Sequence, residues 1–256
     1  GKLFPYPVFS LCKTIPIYSF FGENSDYYSN SSWINTFKNR LLKGTLKRMI
    51  YNRAFSNSEK VIAYTPETSS ILVNQIAFPW NRNRLKQVIT ESSLGYDSNQ
   101  FYFDKDAREQ IRSKWGITDS DCLFITSTRV TSSKGLEKVV DLINNLNADG
   151  VLVHYVIVGF HSDEYGNKLK SYIEGKEFHE KFTCLGFSDH DQLRKYYSAS
   201  DVGVWLRAAI SIQEAMGTGL RVILPRRRSV EHLIEEGVNG YFVEDNLDVK
   251  MRLAVS

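Results

Sequence analysis

The residues best suited to chemistry in this chain are cations and a carboxylate that follow apolar runs. Arg129 and Lys134 come directly after the run Leu123–Thr128 and just before a stretch with Leu136, Val139, Val140, Ile143 and Leu146 at helical spacing. Two cations at the carboxyl end of a parallel strand are placed to hold a diphosphate, because open α/β sheets take their ligands there. A second group lies between Ser200 and Pro225. Val202–Leu206 reads as a strand, 207–210 as a loop, Ser211–Met216 as a helix ending at Gly217 and Gly219, and Leu220–Leu224 as a strand stopped by Pro225. The amides and dipole of that helix favour an anion near Ser211. Glu214, on its first turns, has the carboxylate needed to accept two hydroxyl hydrogen bonds from a ribose. Gly159 and Gly186, the latter followed by Phe187, each end an apolar run. Such glycines either turn the chain or let backbone approach a ligand closely.

The elements that must position these residues alternate along the chain. Ile15–Phe21 reads as a strand ending at Gly22 and Glu23, and Val61–Tyr64 as a strand feeding a helix through Thr65 as cap and Pro66 at the first position. Val88–Thr90 is a short strand. After it come the strand Val151–Val158, the helix Tyr165–Ile173, the strand Phe182–Leu185 and the helix Gln192–Ser198. A helix opening at Glu231 and His232 and a last strand, Tyr241–Val243, complete the series. Strand–helix alternation is the sequence sign of a parallel sheet covered on both faces.

Trp33–Phe55 stands apart. Ile34, Phe37, Leu41, Leu46, Met49 and Ile50 recur roughly at helical spacing, with a break near Gly44. The flanking charges, Lys38, Arg40, Lys43, Lys47, Arg48 and Arg53, are all basic, and no acidic residue lies between Asp26 and Glu59. Three readings fit: a core-packed helix with a solvated basic face, a helix lying on an anionic membrane surface, or a surface for an acidic acceptor. The run Arg226, Arg227, Arg228 is likewise open between a solvated charge run and a group facing a sugar.

The bulk properties narrow the class. With 42% hydrophobic and 24% charged residues, the 256-residue chain is globular and long enough for two ordinary domains. A net charge of +3 gives little reason to expect a nucleic-acid partner. Cys12, Cys122 and Cys184 are few, scattered and odd in number, which fits a reducing compartment and not a disulfide framework. No signal peptide or membrane-spanning run is present. Asp119-Ser120-Asp121 and Asp189-His190-Asp191 read as a turn and a helix cap, not as metal ligands. His232 reads as structural. A phosphate loop of the Gly-x-x-x-x-Gly-Lys type, a His-Glu-x-x-His zinc motif and a Gly-x-Ser-x-Gly elbow are all missing.

Several motifs, in order, carry a family resemblance. Glu214-Ala215-Met216, then Gly217-Thr218-Gly219 and an apolar strand, resembles the closing segment of retaining GT-B glycosyltransferases, above all those of family 4. Thr128-Arg129-Val130 with Lys134-Gly135 is similar to that family's Gly-Arg-Leu and Lys-Gly pair. Gly95-Tyr96-Asp97 with Phe101 is similar to its interdomain turn, and Glu231 with Gly237-Val238-Asn239-Gly240 to its closing loop. Of the family's two glutamates the second matches Glu214, while the first falls at Leu206.

The resemblance implies an α/β, GT-B-like fold with two Rossmann-like parallel-sheet domains, the first incomplete. Residues 1–100 would be the C-terminal part of an acceptor-side domain and residues 101–256 a nucleotide-sugar domain, in what we expect is a fragment of a longer protein. It further implies that Arg129, Lys134 and Ser211 hold the donor diphosphate and that Glu214, Gly159, Gly186 and Phe187 serve its ribose and base. Gly22, Glu23 and Arg207 are candidates for contacts to sugar or acceptor, and no catalytic residue is assigned. The implied function is transfer of a hexosyl or related sugar, with retention and without metal or cofactor, to a glycan or lipid-linked acceptor in polysaccharide biosynthesis. The implied place is the cytoplasm; for 33–55 a membrane surface stays one of the three readings that its basic pattern leaves open. Leu206 leaves a second reading open, a catalytically impaired GT-B-like subunit that binds nucleotide or glycan for a partner enzyme. An epimerase or phosphorylase would share the architecture, but no residue points to either.

Overall fold

The computed structural model describes residues 18–21, 44–93, 95–207, 209–227 and 229–255. Gly22, Glu23, Arg228 and positions 33–43 of the basic segment lie outside the described residues. The chain divides into two compact units, 1–94 and 95–256.

In the first unit, strands β1 (Tyr18–Phe21), β2 (Lys60–Ala63) and β3 (Ile89–Glu91) form a parallel sheet in that order. Helices α1 (Gly44–Asn57), α2 (Pro66–Ile71) and α3 (Pro79–Val88) connect them, with a π turn at Leu72–Ile76. Thr65 caps α2 as its sequence requires, its Oγ1 accepting the Thr68 amide at 3.0 Å. Phe21, Phe55, Val61, Leu72 and Leu85 make the core. The π turn exposes inward-facing carbonyls, and polar groups of α1 satisfy them. Buried Asn52 donates to Ile76 O at 3.0 Å and accepts from the Phe78 amide at 2.6 Å. Arg48 donates to Ile76 O at 2.8 Å with its guanidinium 4.9 Å from the Phe78 ring centroid. Arg48 therefore braces the unit from within, while Met49 and Arg53 point to solvent.

The second unit is a six-stranded, wholly parallel sheet. Its strands are β4 (Cys122–Ser127), β5 (Val153–Val158), β6 (Phe182–Leu185), β7 (Val202–Val204), β8 (Arg221–Pro225) and β9 (Gly240–Val243), in the spatial order β6-β5-β4-β7-β8-β9. That order reverses between β4 and β7, as in doubly wound nucleotide-binding sheets. The helices are α4 (Lys105–Lys114), α5 (Leu136–Ala148), α6 (Glu164–Glu174), α7 (His190–Ala199), α8 (Ser211–Gly217) and α9 (Leu247–Val255).

Strand alternation divides the core into two layers. Leu123 and Ile125 face Ile111 of α4, Tyr197 of α7 and Ile212 of α8. Phe124, Tyr155 and Ile157 face the other way, against Val139, Val140 and Ile143 of α5 and Leu169 of α6. Each such aliphatic side chain contributes roughly 1.5–3 kcal/mol by leaving water. Two expectations change. The Val202–Leu206 strand stops at Val204, because Trp205 turns its indole inward and Leu206 enters a loop. Glu231 and His232 open only a single 3-10 turn, Glu231–Leu233, because the backbone is already extended at Ile234. The two Asp-x-Asp stretches are turn and cap. Asp121 accepts from the Thr118 amide at 2.7 Å, and Asp189 from the Gln192 amide at 2.8 Å.

The amino-terminal edge of this sheet is held by one carboxylate. Asp201 takes Arg108 at 2.6 Å, Arg112 at 2.9 Å and the Leu123 amide at 2.8 Å. Arg112 also donates to the carbonyls of Ala199, Thr118 and Asp121, and its side chain is only 5% exposed. Removing one partner of a buried pair leaves the other charge uncompensated. Asp201→Ala should therefore lower the unfolding free energy by about 3–5 kcal/mol, measured by equilibrium denaturation. Lys105→Ala, which breaks a solvent-exposed pair with Glu109, should cost under about 1 kcal/mol. Equal effects would remove Asp201 from this role.

Candidate functional site

The site forms at the carboxyl edge of the second sheet, where the order reverses. After β4 the chain passes to α5 on one face, and after β7 it passes to α8 on the other. The two loops part, and the opening lies above Ser127, the last residue of β4. Ser127 O accepts from Trp205 Nε1 at 2.9 Å and from Ser211 Oγ at 2.7 Å, and the Ser127 hydroxyl bonds the Tyr197 hydroxyl. Beneath, Thr126 Oγ1 is joined to the Tyr155 hydroxyl at 2.7 Å and donates to Val204 O. This floor is saturated and rigid. The sequence reading missed it, although hydroxyl residues at the end of an otherwise apolar strand were a visible signal. Ser211, expected to meet phosphate, spends its hydroxyl on the floor.

The walls differ from the floor. Arg129 is exposed and Lys134 half-buried, and neither makes an ion pair with a described residue. Lys134 belongs to the turn Ser132–Lys134 ahead of α5. Burial, and secondarily the charge of Arg207, hold its ammonium below the usual lysine range. Arg207 reaches across from the β7–α8 loop, its Nε donating to Ser133 O at 3.3 Å. Leu206 beside it packs into the apolar layer under α5, with its Cδ1 only 3.5 Å from where a Cβ on Gly135 would lie.

Glu214 sits half-buried on α8 and has no hydrogen bond or ion pair with a described residue. Burial raises its pKa, opposed by the nearby His190. His190 in turn meets Gln100 at 2.9 Å through Nδ1. Gly217, one turn on, has room for no side chain, since a Cβ there would come within 2.4 Å of the Tyr96 ring. The glycine thus serves packing of the 95–97 turn on α8.

Gly159 carries φ +107, and a Cβ on it would lie 2.1 Å from Thr128 O. Its amide donates to Leu185 O and Gly186 O, and its carbonyl accepts from the Val130 amide at 3.2 Å. It ties the ends of β4 and β6 together, so its own polar groups are occupied. Phe187, next to Gly186, is 85% exposed. An exposed aromatic ring on this edge is suited to stack on a base.

The structure therefore gathers Arg129, Lys134, Gly159, Gly186, Phe187, Arg207, Ser211 and Glu214 along one sheet edge, with Lys134 and Arg207 as neighbours. Cys122 and Cys184 take no part. Burial pushes both thiols up, that of Cys184 to about 11, and keeps them protonated. Among the described residues, no three His, Cys, Asp or Glu side chains converge where a metal could be held. No helix among them is long and apolar enough to cross a membrane.

Known proteins are similar to this chain in sequence or in fold. WcaL of Salmonella typhimurium, which carries the name of a colanic acid biosynthesis glycosyltransferase, is 23% identical over 227 residues, 80% of this chain and 53% of its own. Spore coat protein SA of Bacillus subtilis is 27% identical over 180 residues, 66% of this chain and 47% of its own. The chain spans about half the length of these curated relatives. The crystal structure of HepE from Anabaena in complex with UDP and glucose superimposes with a TM-score of 0.67 at 17% identity, over 94% of this chain and 61% of that one. That likeness assigns the fold, GT-B. The family described as "Glycosyl transferases group 1" matches residues 107–253, more than half of the chain and all of the sheet edge built above, and the chain belongs to it.

Proposed function

We propose that the protein transfers a hexosyl or related sugar from a nucleoside diphosphate donor to a glycan or lipid-linked acceptor, in the manner of the retaining family 4 enzymes. The observation that carries this reading is the contrast at the carboxyl edge of the second sheet. Its floor is fully hydrogen-bonded, while Lys134, Arg129 and Glu214 stand above it without an ion pair to a described residue. In the proposed complex Lys134 and Arg129 meet the diphosphate and offset the charge that develops as it leaves, so no bound cation is assigned to that task. Glu214 accepts the ribose hydroxyls, and Phe187 offers its ring to the base. HepE, with UDP and glucose bound to the same fold, supports a nucleotide-sugar donor. WcaL's name supports a role in polysaccharide biosynthesis. We place the reaction in the cytoplasm, with the basic segment 33–55 toward an anionic membrane surface, where Arg53 and Met49 are outward-facing.

Leu206 favours a second reading. It stands, packed and apolar, where the resemblance puts the family's first glutamate. A subunit that binds the nucleotide-sugar for a partner enzyme would tolerate that residue. Binding of the donor with no turnover of its sugar, in a transfer assay, would select this reading.

The first test is thermal stabilisation by UDP, GDP, dTDP, ADP and CMP. One diphosphate should stabilise the protein selectively. Lys134→Ala and Arg129→Ala should each weaken its binding by roughly 1.5–3 kcal/mol, read by calorimetry. Stabilisation by none of the five in folded protein would overturn the donor assignment.

The affinity should also fall at both ends of the pH range. On the acid side it should drop as Glu214 takes a proton, at a higher pH than an ordinary glutamate because its pKa is raised by burial. On the alkaline side it should drop as Lys134 loses its proton, at a lower pH than an ordinary lysine. Glu214→Gln should flatten the acid limb and Lys134→Arg the alkaline one. Limbs unchanged in these variants would assign the titrations elsewhere.

A further inference from the structure

A groove of about 740 Å³ opens beside Lys134, bounded by the turn before α5, the β7–α8 loop and the ends of β8 and β9. Four cations, Lys134, Lys138, Arg207 and Arg227, and four carboxylates line it, so the formal charges balance, but most of the carboxylates are engaged elsewhere. Three of its four carboxylates are already paired with cations that do not line it. Asp141 takes Lys176 at 2.6 Å, Glu244 takes Arg226 at 3.0 Å and Asp248 takes Arg252 at 3.1 Å. Lys134, Lys138 and Arg207 line the same groove without an ion pair to a described residue, and only Asp245 remains against them. Arg207 is held toward Lys134 by its bond to Ser133 O. That contact sets two cations side by side, and the pKa of the half-buried Lys134 is lowered first by burial and then by the charge of Arg207.

A diphosphate on Arg129 and Lys134 would still leave Lys138 and Arg207 without an ion pair to a described residue. Arg129 is not part of the groove, so Lys134 marks where the phosphate site ends and the groove begins. With the base toward Phe187, as in the function proposed above, the sugar bonded to the second phosphate is the group we assign to the groove. We propose that the donor sugar is acidic, a nucleoside diphosphate-uronic acid whose carboxylate is taken by Arg207 next to Lys134. This rests on the nucleotide-sugar reading above and adds the class of sugar. A planar guanidinium matches a carboxylate by two parallel hydrogen bonds, which a neutral hydroxymethyl group in its place cannot reproduce. Asp245 is left to accept sugar hydroxyls.

The experiment compares UDP, UDP-glucose and UDP-glucuronate by calorimetry on the wild-type protein and on Arg207→Gln. If the nucleotide panel selects guanosine, GDP, GDP-mannose and GDP-mannuronate replace them. The uronate should bind about tenfold more tightly than its neutral counterpart, and the preference should collapse to about twofold or less in Arg207→Gln. Arg207 is exposed, so the variant should keep the wild-type melting temperature without ligand. Equal affinity for neutral and acidic sugars, with the diphosphate still bound, would overturn the acidic-sugar assignment and leave the nucleotide reading standing; an acidic acceptor would give this same result. Equal weakening of all three ligands in Arg207→Gln would make Arg207 a phosphate ligand and overturn it too. Binding of none of them would overturn both.

Discussion

The second unit depends on the buried contact between Arg112 and Asp201. Six parallel strands start at one edge, and their first amides and carbonyls must be satisfied there without help from a neighbouring hairpin. Asp201 does this for β4 and β7 at once, through the Leu123 amide and through two arginines, of which Arg112 reaches on to the carbonyls of Ala199, Thr118 and Asp121. A buried guanidinium is tolerable only when its charge is met, and around Arg112 its two terminal nitrogens donate to backbone carbonyls and to this one carboxylate. The register of β4 against β7, Phe124 to Val202, is thereby set at the bottom.

Fixing that edge decides what happens at the other. Because β4 and β7 are adjacent and parallel, and their following helices leave on opposite faces, the carboxyl edge must open between them. Ser127, Trp205, Ser211 and Tyr197 close the bottom of the opening with hydrogen bonds, which keeps the loops from collapsing into it. The two edges of one sheet therefore carry opposite electrostatic designs. Arg108, Arg112 and Asp201 at the amino edge are paired, while Arg129, Lys134 and Glu214 at the carboxyl edge make no ion pair with a described residue.

The match to the glycosyl transferases group 1 family spans the sheet, the turn at Lys134 and Gly135, and the helix that bears Glu214. Within it, Leu206 and Arg207 put an apolar side chain and a cation at the mouth of the β7–α8 loop. Leu206 helps seal the layer under α5, and Arg207 adds charge to a groove already rich in it.

By itself the sequence determined the kind and order of the elements. Periodicity marked α5, the cap residues Thr65 and Asp189 marked where α2 and α7 begin, and the place of Arg129 and Lys134 after an apolar run put them at the carboxyl edge of a strand. These are local signals, set by neighbours three or four residues apart, so they survive without knowledge of the fold. What the tertiary structure decided depends on residues far apart in the chain. Arg48 reads as one of a row of surface cations, yet it turns inward to the Ile76 carbonyl. Arg112 gives no sign of burial until Asp201, brought beside it by the strand order, supplies a counterion. Gly217 reads as a helix stop, but its lack of a side chain makes room for Tyr96. Lys134 and Arg207 become a pair only because β4 and β7, distant in sequence, are neighbours in the sheet. Charge and shape at the site are properties of that adjacency, and adjacency is set by packing and register, which no local pattern encodes.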